Sequence, residues 1–169
     1  FNRQDAKKIG YIREDIEKKY KKKHINEKEY YILLSSLLYS FDKIANTCGH
    51  YDAYRKIKYI PESFYFDLIN PKKINNEKLI EIYREDSNKL AKEIKADIAY
   101  IDPPYNSRQY SRFYHIMENI VQWKKPKLYG TAMKPKEENM SEYCKVSAPV
   151  AFNDLIQKLN VKYIVVSYN

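Results

Sequence analysis

Asp97-Ile98-Ala99-Tyr100-Ile101-Asp102-Pro103-Pro104-Tyr105 is the stretch on which both the fold and the chemistry turn. The apolar run Asp97 to Ile101 reads as a β-strand. Two successive prolines have fixed φ angles and cannot donate ladder hydrogen bonds, so they end that strand abruptly in a rigid turn. The turn presents the Asp102 carboxylate and nearby carbonyls as acceptors, with the aromatic face of Tyr105 beside them. A strand-ending turn with an incidental carboxylate is the bland alternative. The apolar strand before it and the loop and helix after it favour a functional turn.

Outward from this point the elements alternate. Upstream, Leu79-Ile80-Glu81-Ile82-Tyr83 is a short β-rich run, Asp86 follows it, and Ser87 to Ile94 has helical character. Downstream, Phe113, Ile116, Met117, Ile120 and Val121 fall at helical steps over Phe113 to Trp123. Lys124 to Ala148 reads as a long, polar, basic loop, Val150 to Leu159 as a helix, and Val161 to Ser167 as a β-branched strand. Strands separated by helices imply βαβ crossovers and a parallel sheet. Ligands bind beyond the carboxyl ends of such strands, which predicts one rim carrying Asp86, Asp102 and Ser167-Tyr168-Asn169.

The first part of the chain reads as helical. Asp5 is the expected cap of a helix with Ile9, Ile12, Ile16 and Tyr20 on one stripe. Asn26 and Glu29 have capping-box spacing and open a second helix, with Tyr30, Leu33, Leu34, Leu37, Leu38, Phe41, Ile44 and Ala45 on its apolar side and Gly49 as its stop. The two are expected to pair antiparallel. Basic and aromatic residues interleave from His50 to Tyr59, a pattern that suits DNA contact through Tyr54 and Arg55 and equally suits a surface loop. Ser63 to Asn70 is the expected site of a short strand, and Pro71 to Glu77 of a polar turn. The expected organisation is a helical segment over 1–62, read as a DNA-contacting insertion, and a partial catalytic core over 63–169.

Composition narrows the function classes. The 169 residues are 44% hydrophobic and carry a net charge of +9. That excess of Lys and Arg favours a polyanion, with nucleic acid the commonest, against a merely solvated basic surface. The 18 tyrosines add stacking faces and phosphate-reaching hydroxyls. No apolar run is long enough to span a bilayer, and no leader opens the chain, which together suit a cytoplasmic protein. Cys48 and Cys144 lack CxxC spacing, and His24, His50 and His115 stand apart, so no metal site is expected.

The turn at Asp102 fits one chemical problem closely. The exocyclic amine of adenine is a poor nucleophile because its lone pair is delocalised into the ring. Asp102 and the Pro103 carbonyl can accept its two N–H groups, free the lone pair, and stabilise positive charge developing on nitrogen. A base inside a duplex has to flip out to be reached, and Tyr105 can stack on it. Arg108, Gln109, Tyr110 and Arg112 follow directly and are candidates for phosphates beside the flipped nucleotide or for the orphaned base. His115 and Trp123 read as packing residues.

The segment Asp97 to Tyr110 resembles the catalytic segment of Dam-like adenine-N6 DNA methyltransferases, in particular their restriction-modification branch. Tyr114-His115-x-x-Glu118-Asn119, Ile164-Val165-Val166-Ser167-Tyr168-Asn169 and Ala45-Asn46-Thr47-Cys48-Gly49-His50-Tyr51 are similar as well. The resemblance implies an α/β, Rossmann-like fold that binds S-adenosylmethionine, here a partial parallel sheet with an N-terminal helical segment. It implies Asp102, Pro103, Pro104 and Tyr105 as the catalytic set, with Asp102 in place of the serine typical of cytosine-N4 enzymes. Asp86, after the preceding strand, would contact the cofactor, as would Asp102; a helix N-cap is the equal alternative for Asp86. Double-stranded DNA is the implied partner, with a cognate restriction endonuclease in the same system.

The chain departs from the family in its cofactor loop and in its ribose ligand. Its glycines, Gly10, Gly49 and Gly130, do not form the family's Gly-rich cofactor loop, and the acidic ribose ligand has no match. A fragment, truncated at both ends and weakly active or inactive alone, is the expectation. The competing functions are a methyltransferase acting on RNA and a non-catalytic nucleic-acid-binding module on a degenerate methyltransferase fold.

Overall fold

Asn2, not Asp5, caps the first helix, α1 (Arg3–Lys21), its side chain accepting from the Asp5 N–H at 2.7 Å. Asp5 sits one turn further in and is buried; its carboxylate accepts from the Asn2 amide and, at 3.0 Å, from the Ser63 N–H. Being buried, it does more as a tertiary acceptor than an exposed cap would. Asn26 and Glu29 form the expected capping box, with reciprocal bonds of 2.8 and 2.9 Å, and open α2 (Glu27–Asp42). Tyr20 stacks on Tyr30 at one end of the pair and Phe1 meets Phe41 edge-on at the other, so the two helices run antiparallel.

The computed structural model describes residues 1–72, 79–104, 106–136 and 140–167. It contains two units: Phe1–Ile74 with Phe113–Lys136, and Asn75–Arg112 with Glu137–Asn169. These are not the continuous halves expected from a cut at residue 62, because Phe113–Lys136 packs with the N-terminal helices.

The core of the first unit is Ile9, Ile16, Leu37, Phe41 and Tyr51, with Ile116, Met117 and Ile120 of α5 (His115–Gln122) against it. Fully buried side chains such as Leu37 and Phe41 are each worth about 1.5–3 kcal/mol of apolar transfer. The segment expected to be a strand over 63–70 forms none. It runs along α2 instead, where the Asp67 and Ile69 N–H groups donate to Ser40 Oγ (2.9 Å) and Ser36 Oγ (3.1 Å). Those two serines, buried on one face of α2, satisfy backbone donors that a neighbouring strand would otherwise take.

The expected long loop over 124–148 also contains structure. It holds a hairpin of two short antiparallel strands, β2 (Leu128–Tyr129) and β3 (Lys134–Pro135), and a 3-10 turn at Glu142–Cys144. Strands of two residues are too short to leave a periodic signature.

Trp123, which ends α5 in the left-handed region at φ 51°, donates its indole N–H to Glu14 at 2.8 Å, and Lys125 donates to the same oxygen at 2.8 Å. The Lys125 ammonium first, then the indole, hold the Glu14 carboxyl down from its ordinary 4.5 to about 2. A carboxyl depressed in the folded state stabilises above its unfolded value and loses that contribution as pH falls toward the folded one. The α1–Trp123 contact is therefore expected to hold down to about 4.5 and to weaken between there and about 2. Fluorescence of Trp123, the one tryptophan of this chain, should show a step near the lower value that Glu14→Gln removes; a step at the ordinary carboxyl value would refute the assignment.

The second unit holds α3 (Ser87–Leu90), β1 (Lys95–Ile101), α4 (Tyr110–Phe113, whose last residue belongs to the first unit), α6 (Ala148–Lys158) and β4 (Asn160–Val166). β1 and β4 pair in parallel, from Lys95 opposite Asn160 to Ile101 opposite Val166. This is the mixed α/β character expected, with a small parallel sheet. Both strands are largely exposed, Tyr100 and Tyr163 at 67% each. The run Leu79 to Tyr83 forms no strand: β propensity expresses itself only where a ladder partner is present. Part of the polar turn expected over 71–77 lies outside the described residues. No described helix is long and apolar enough to cross a membrane.

Candidate catalytic turn and its supports

Parallel pairing places the carboxyl ends of β1 and β4 side by side. The ladder closes with Ser167 N–H donating to the Ile101 carbonyl at 2.9 Å, so Ser167 neighbours the residue that immediately precedes Asp102. Asp102 is exposed, Pro103 buried and Pro104 half-buried. The prolines thus fasten the turn to the protein while the carboxylate faces outward, and among the described residues that carboxylate has no hydrogen-bond partner. Tyr105, Tyr168 and Asn169, expected at the same rim, lie outside the described residues.

Asp86 caps α3, its Oδ1 accepting from the N–H groups of Asn88 (3.0 Å) and Lys89 (3.1 Å). With no strand before it, it does not occupy the end of a sheet strand. Asn88 in turn donates to the Ala151 carbonyl (2.8 Å) and to Asp154 (2.7 Å), and accepts from the Tyr143 hydroxyl (2.5 Å), tying α3 to α6.

The loop after the prolines is held at three points. Asn106 Oδ1 accepts from the Arg108 N–H at 2.9 Å. The Cys144 thiol, its pKa pushed up by burial, lies 3.5 Å from the Arg108 carbonyl. Gln109 is 2% exposed: its side-chain oxygen accepts from the Ser141 N–H at 2.7 Å and its amide NH₂ donates to the Ser141 carbonyl at 3.3 Å. Gln109, expected as a DNA contact, is therefore a backbone clamp, since an amide with both ends bonded inside the protein is not presented to a ligand. Ser141 and Cys144 carry no local sequence signal for this role; only their distance partners reveal it. Arg108, Tyr110 and Arg112 are all exposed on this loop and on α4.

In the first unit, Tyr54 is 62% exposed and Arg55 is exposed beside it. Tyr54 closes a turn through an antiparallel bridge to Thr47, with Gly49 at φ +96°, and Arg55 follows it. His115 is buried, its Nε2 2.9 Å from the Ala132 carbonyl; a carbonyl only accepts, so that nitrogen carries a proton. His115 and Trp123 are both packing residues, as read.

The arrangement offers an outward-facing carboxylate on a rigid turn at the carboxyl edge of parallel strands, followed by a braced cationic loop. It can accept hydrogen bonds from a ligand amine and balance positive charge.

The chain is 41% identical over 167 residues to modification methylase StsI of Streptococcus sanguinis, covering 98% of this chain and 26% of that protein. It is 37% identical to type II methyltransferase M.FokI of Planomicrobium okeanokoites, covering 100% of this chain and 26% of that one. It is 36% identical to type II methyltransferase M.NlaIII of Neisseria lactamica, covering 100% and 51%. The chain thus spans about a quarter to a half of the length of these relatives. No solved structure matches it. The model of D12 class N6 adenine-specific DNA methyltransferases matches residues 1–169, and the chain belongs to that family.

Proposed function

We infer that the protein containing this chain transfers a methyl group from S-adenosylmethionine to N6 of a flipped adenine in a specific DNA sequence, in the cytoplasm, as the modification arm of a restriction-modification system with a cognate endonuclease. The observation that carries this reading is the exposed Asp102 carboxylate at the end of β1, without a hydrogen-bond partner among the described residues, in a chain whose family acts on adenine N6. The fold that supports it is Rossmann-like, with β1 and β4 as part of a larger parallel sheet.

Asp102 and the Pro103 carbonyl accept the two N–H groups of the adenine amine, and Tyr105 stacks on the flipped ring. This draws the nitrogen lone pair out of conjugation and offsets the positive charge that builds as the new bond forms. S-adenosylmethionine, when bound, supplies an electrophilic methyl group on sulfonium. The residues present fit part of its site: Asp102 lies at the strand edge where such ligands sit, and Asp86 is a second candidate through the carboxylate oxygen not used in capping α3. Arg108, Tyr110 and Arg112 take phosphates beside the flipped nucleotide, and Tyr54 and Arg55 contact DNA from the first unit.

The test is labelled-methyl transfer from S-adenosylmethionine to unmethylated duplex DNA by the intact polypeptide, followed by base analysis. Label on N6 of adenine is expected. DNA binding with no label would leave only a binding module, and label in RNA alone would change the substrate.

A further inference from the structure

The hairpin β2–β3 stands on a strongly cationic stretch. Between residues 124 and 136 the chain carries Lys124, Lys125, Lys127, Lys134 and Lys136 and no acidic residue. Such a run is ordinarily a solvated face. Three features of its setting argue otherwise.

First, the hairpin is fastened at several points. Its turn uses positive φ at Gly130 (68°) and Met133 (51°); the buried His115 bonds the Ala132 carbonyl; and Lys134 pairs with Asp52, holding that carboxyl below its ordinary range. Asp52 belongs to the Thr47–Tyr54 turn, which is itself bonded to the core through Tyr51, whose N–H donates to the Phe113 carbonyl and whose hydroxyl donates to Asp42. Second, that neighbouring turn leads into Arg55, Lys56 and Lys58. Lys125 is taken by Glu14 and Lys134 by Asp52. Lys124, Lys127, Lys136, Arg55, Lys56 and Lys58 have no acidic partner among the described residues. The Lys134–Asp52 pair holds these two basic loops adjacent across a shared cavity, where one anionic partner would meet the charge of both. Third, a cavity of about 280 Å³ opens between them. It is lined by Asn46, Thr47 and Tyr54 from one side and Thr131 and Met133 from the other. Tyr129, beneath the Lys127 ammonium, is exposed beside them.

We propose that the hairpin Leu128–Pro135 is a DNA-contacting element, with Lys124, Lys127 and Lys136 on phosphates and Thr131, at the cavity mouth, reading a base edge. Cations place the protein on the backbone, and small polar side chains in a cleft supply the sequence-dependent contacts. The proposal rests on the methyltransferase reading for its partner, duplex DNA.

The test compares the intact protein with a Lys124→Ala/Lys127→Ala/Lys136→Ala variant and a control, Lys7→Ala/Lys18→Ala/Lys22→Ala, on α1 and its end. Duplex binding is titrated across salt concentrations. Each phosphate contact contributes about 0.9 to the slope of log affinity against log salt, so the hairpin variant is expected to lose about 2 to 3 of slope and the control none. Mapping methylated sites for Thr131→Val is expected to show methylation spreading to sites that differ at one position. An unchanged slope and an unchanged methylation map, in variants that melt like the parent, overturn the proposal while parent methylation keeps the function reading intact. A parent that neither binds nor methylates DNA defeats both.

Discussion

Asp102→Ala in the intact protein is expected to lower the rate of methyl transfer to adenine by about 10²- to 10³-fold, the scale seen when one charge-stabilising hydrogen-bond partner is removed from an active site. The carboxylate ends β1 without taking part in its ladder, is exposed, and bonds no described residue. Its removal therefore leaves the parallel pairing with β4 and the bond from Ser167 N–H to the Ile101 carbonyl in place. Melting temperature and DNA affinity should stay near those of the parent, and the loss should fall on kcat more than on KM. Asp102→Asn keeps one acceptor oxygen and loses the charge, so its rate should lie between the two. Single-turnover kinetics with labelled cofactor make the comparison. A folded Asp102→Ala protein that methylates at the parental rate would remove Asp102 from the catalytic set.

Arg13→Ala is expected to destabilise the first unit by about 3–5 kcal/mol, as when one partner of a buried charged network is deleted. Arg13 is 1% exposed in the middle of α1. Its Nε donates to the Ile120 carbonyl at 2.6 Å and its Nη2 to the Val121 carbonyl at 3.0 Å, satisfying the last turn of α5. That turn has no basic residue of its own, so α1 supplies across space the cation that a helix C-terminus favours. The same guanidinium bonds Glu17 and the Tyr30 hydroxyl and lies over the rings of Tyr30 and Trp123. Alanine leaves the Ile120 and Val121 carbonyls without the guanidinium they accept from, and Glu17 with only Lys21 and the Tyr30 hydroxyl. Lysine should recover only part of the loss, because a point ammonium cannot span the fork. Denaturant unfolding measures the difference. Against a typical domain stability of about 5–15 kcal/mol, a cost under about 1 kcal/mol would show that Arg13 does not staple these helices.

Arg13 also marks where reading the sequence stops. It sits in an apolar stripe between Ile12 and Ile16 as one more charged helix residue, and nothing local says that its partners lie 107 and 108 residues away. The same holds for Ser36 and Ser40, which look like interruptions of an apolar run and serve instead as docking points for the segment 67–69. Gln109 is another case: its place beside two arginines suggests a surface contact, and Ser141, 32 residues on, turns it inward. Leu79 to Tyr83 has strand-like composition and no strand, because a ladder is made by two segments and composition describes one.

By itself the sequence determined what depends on neighbours along the chain. The capping box at Asn26 and Glu29, the apolar period of α1 and α2, the β-branched run of β4, and the proline-terminated strand that exposes Asp102 are all set by steric and hydrogen-bonding rules acting over a few residues. Only the tertiary structure decided which polar side chains turn inward, that Phe113–Lys136 packs with the N-terminal helices, and that a basic stretch is held as a hairpin against a second turn. Those outcomes depend on which distant backbone groups need a partner once the core has closed, and a buried donor or acceptor takes whatever partner the fold brings within reach.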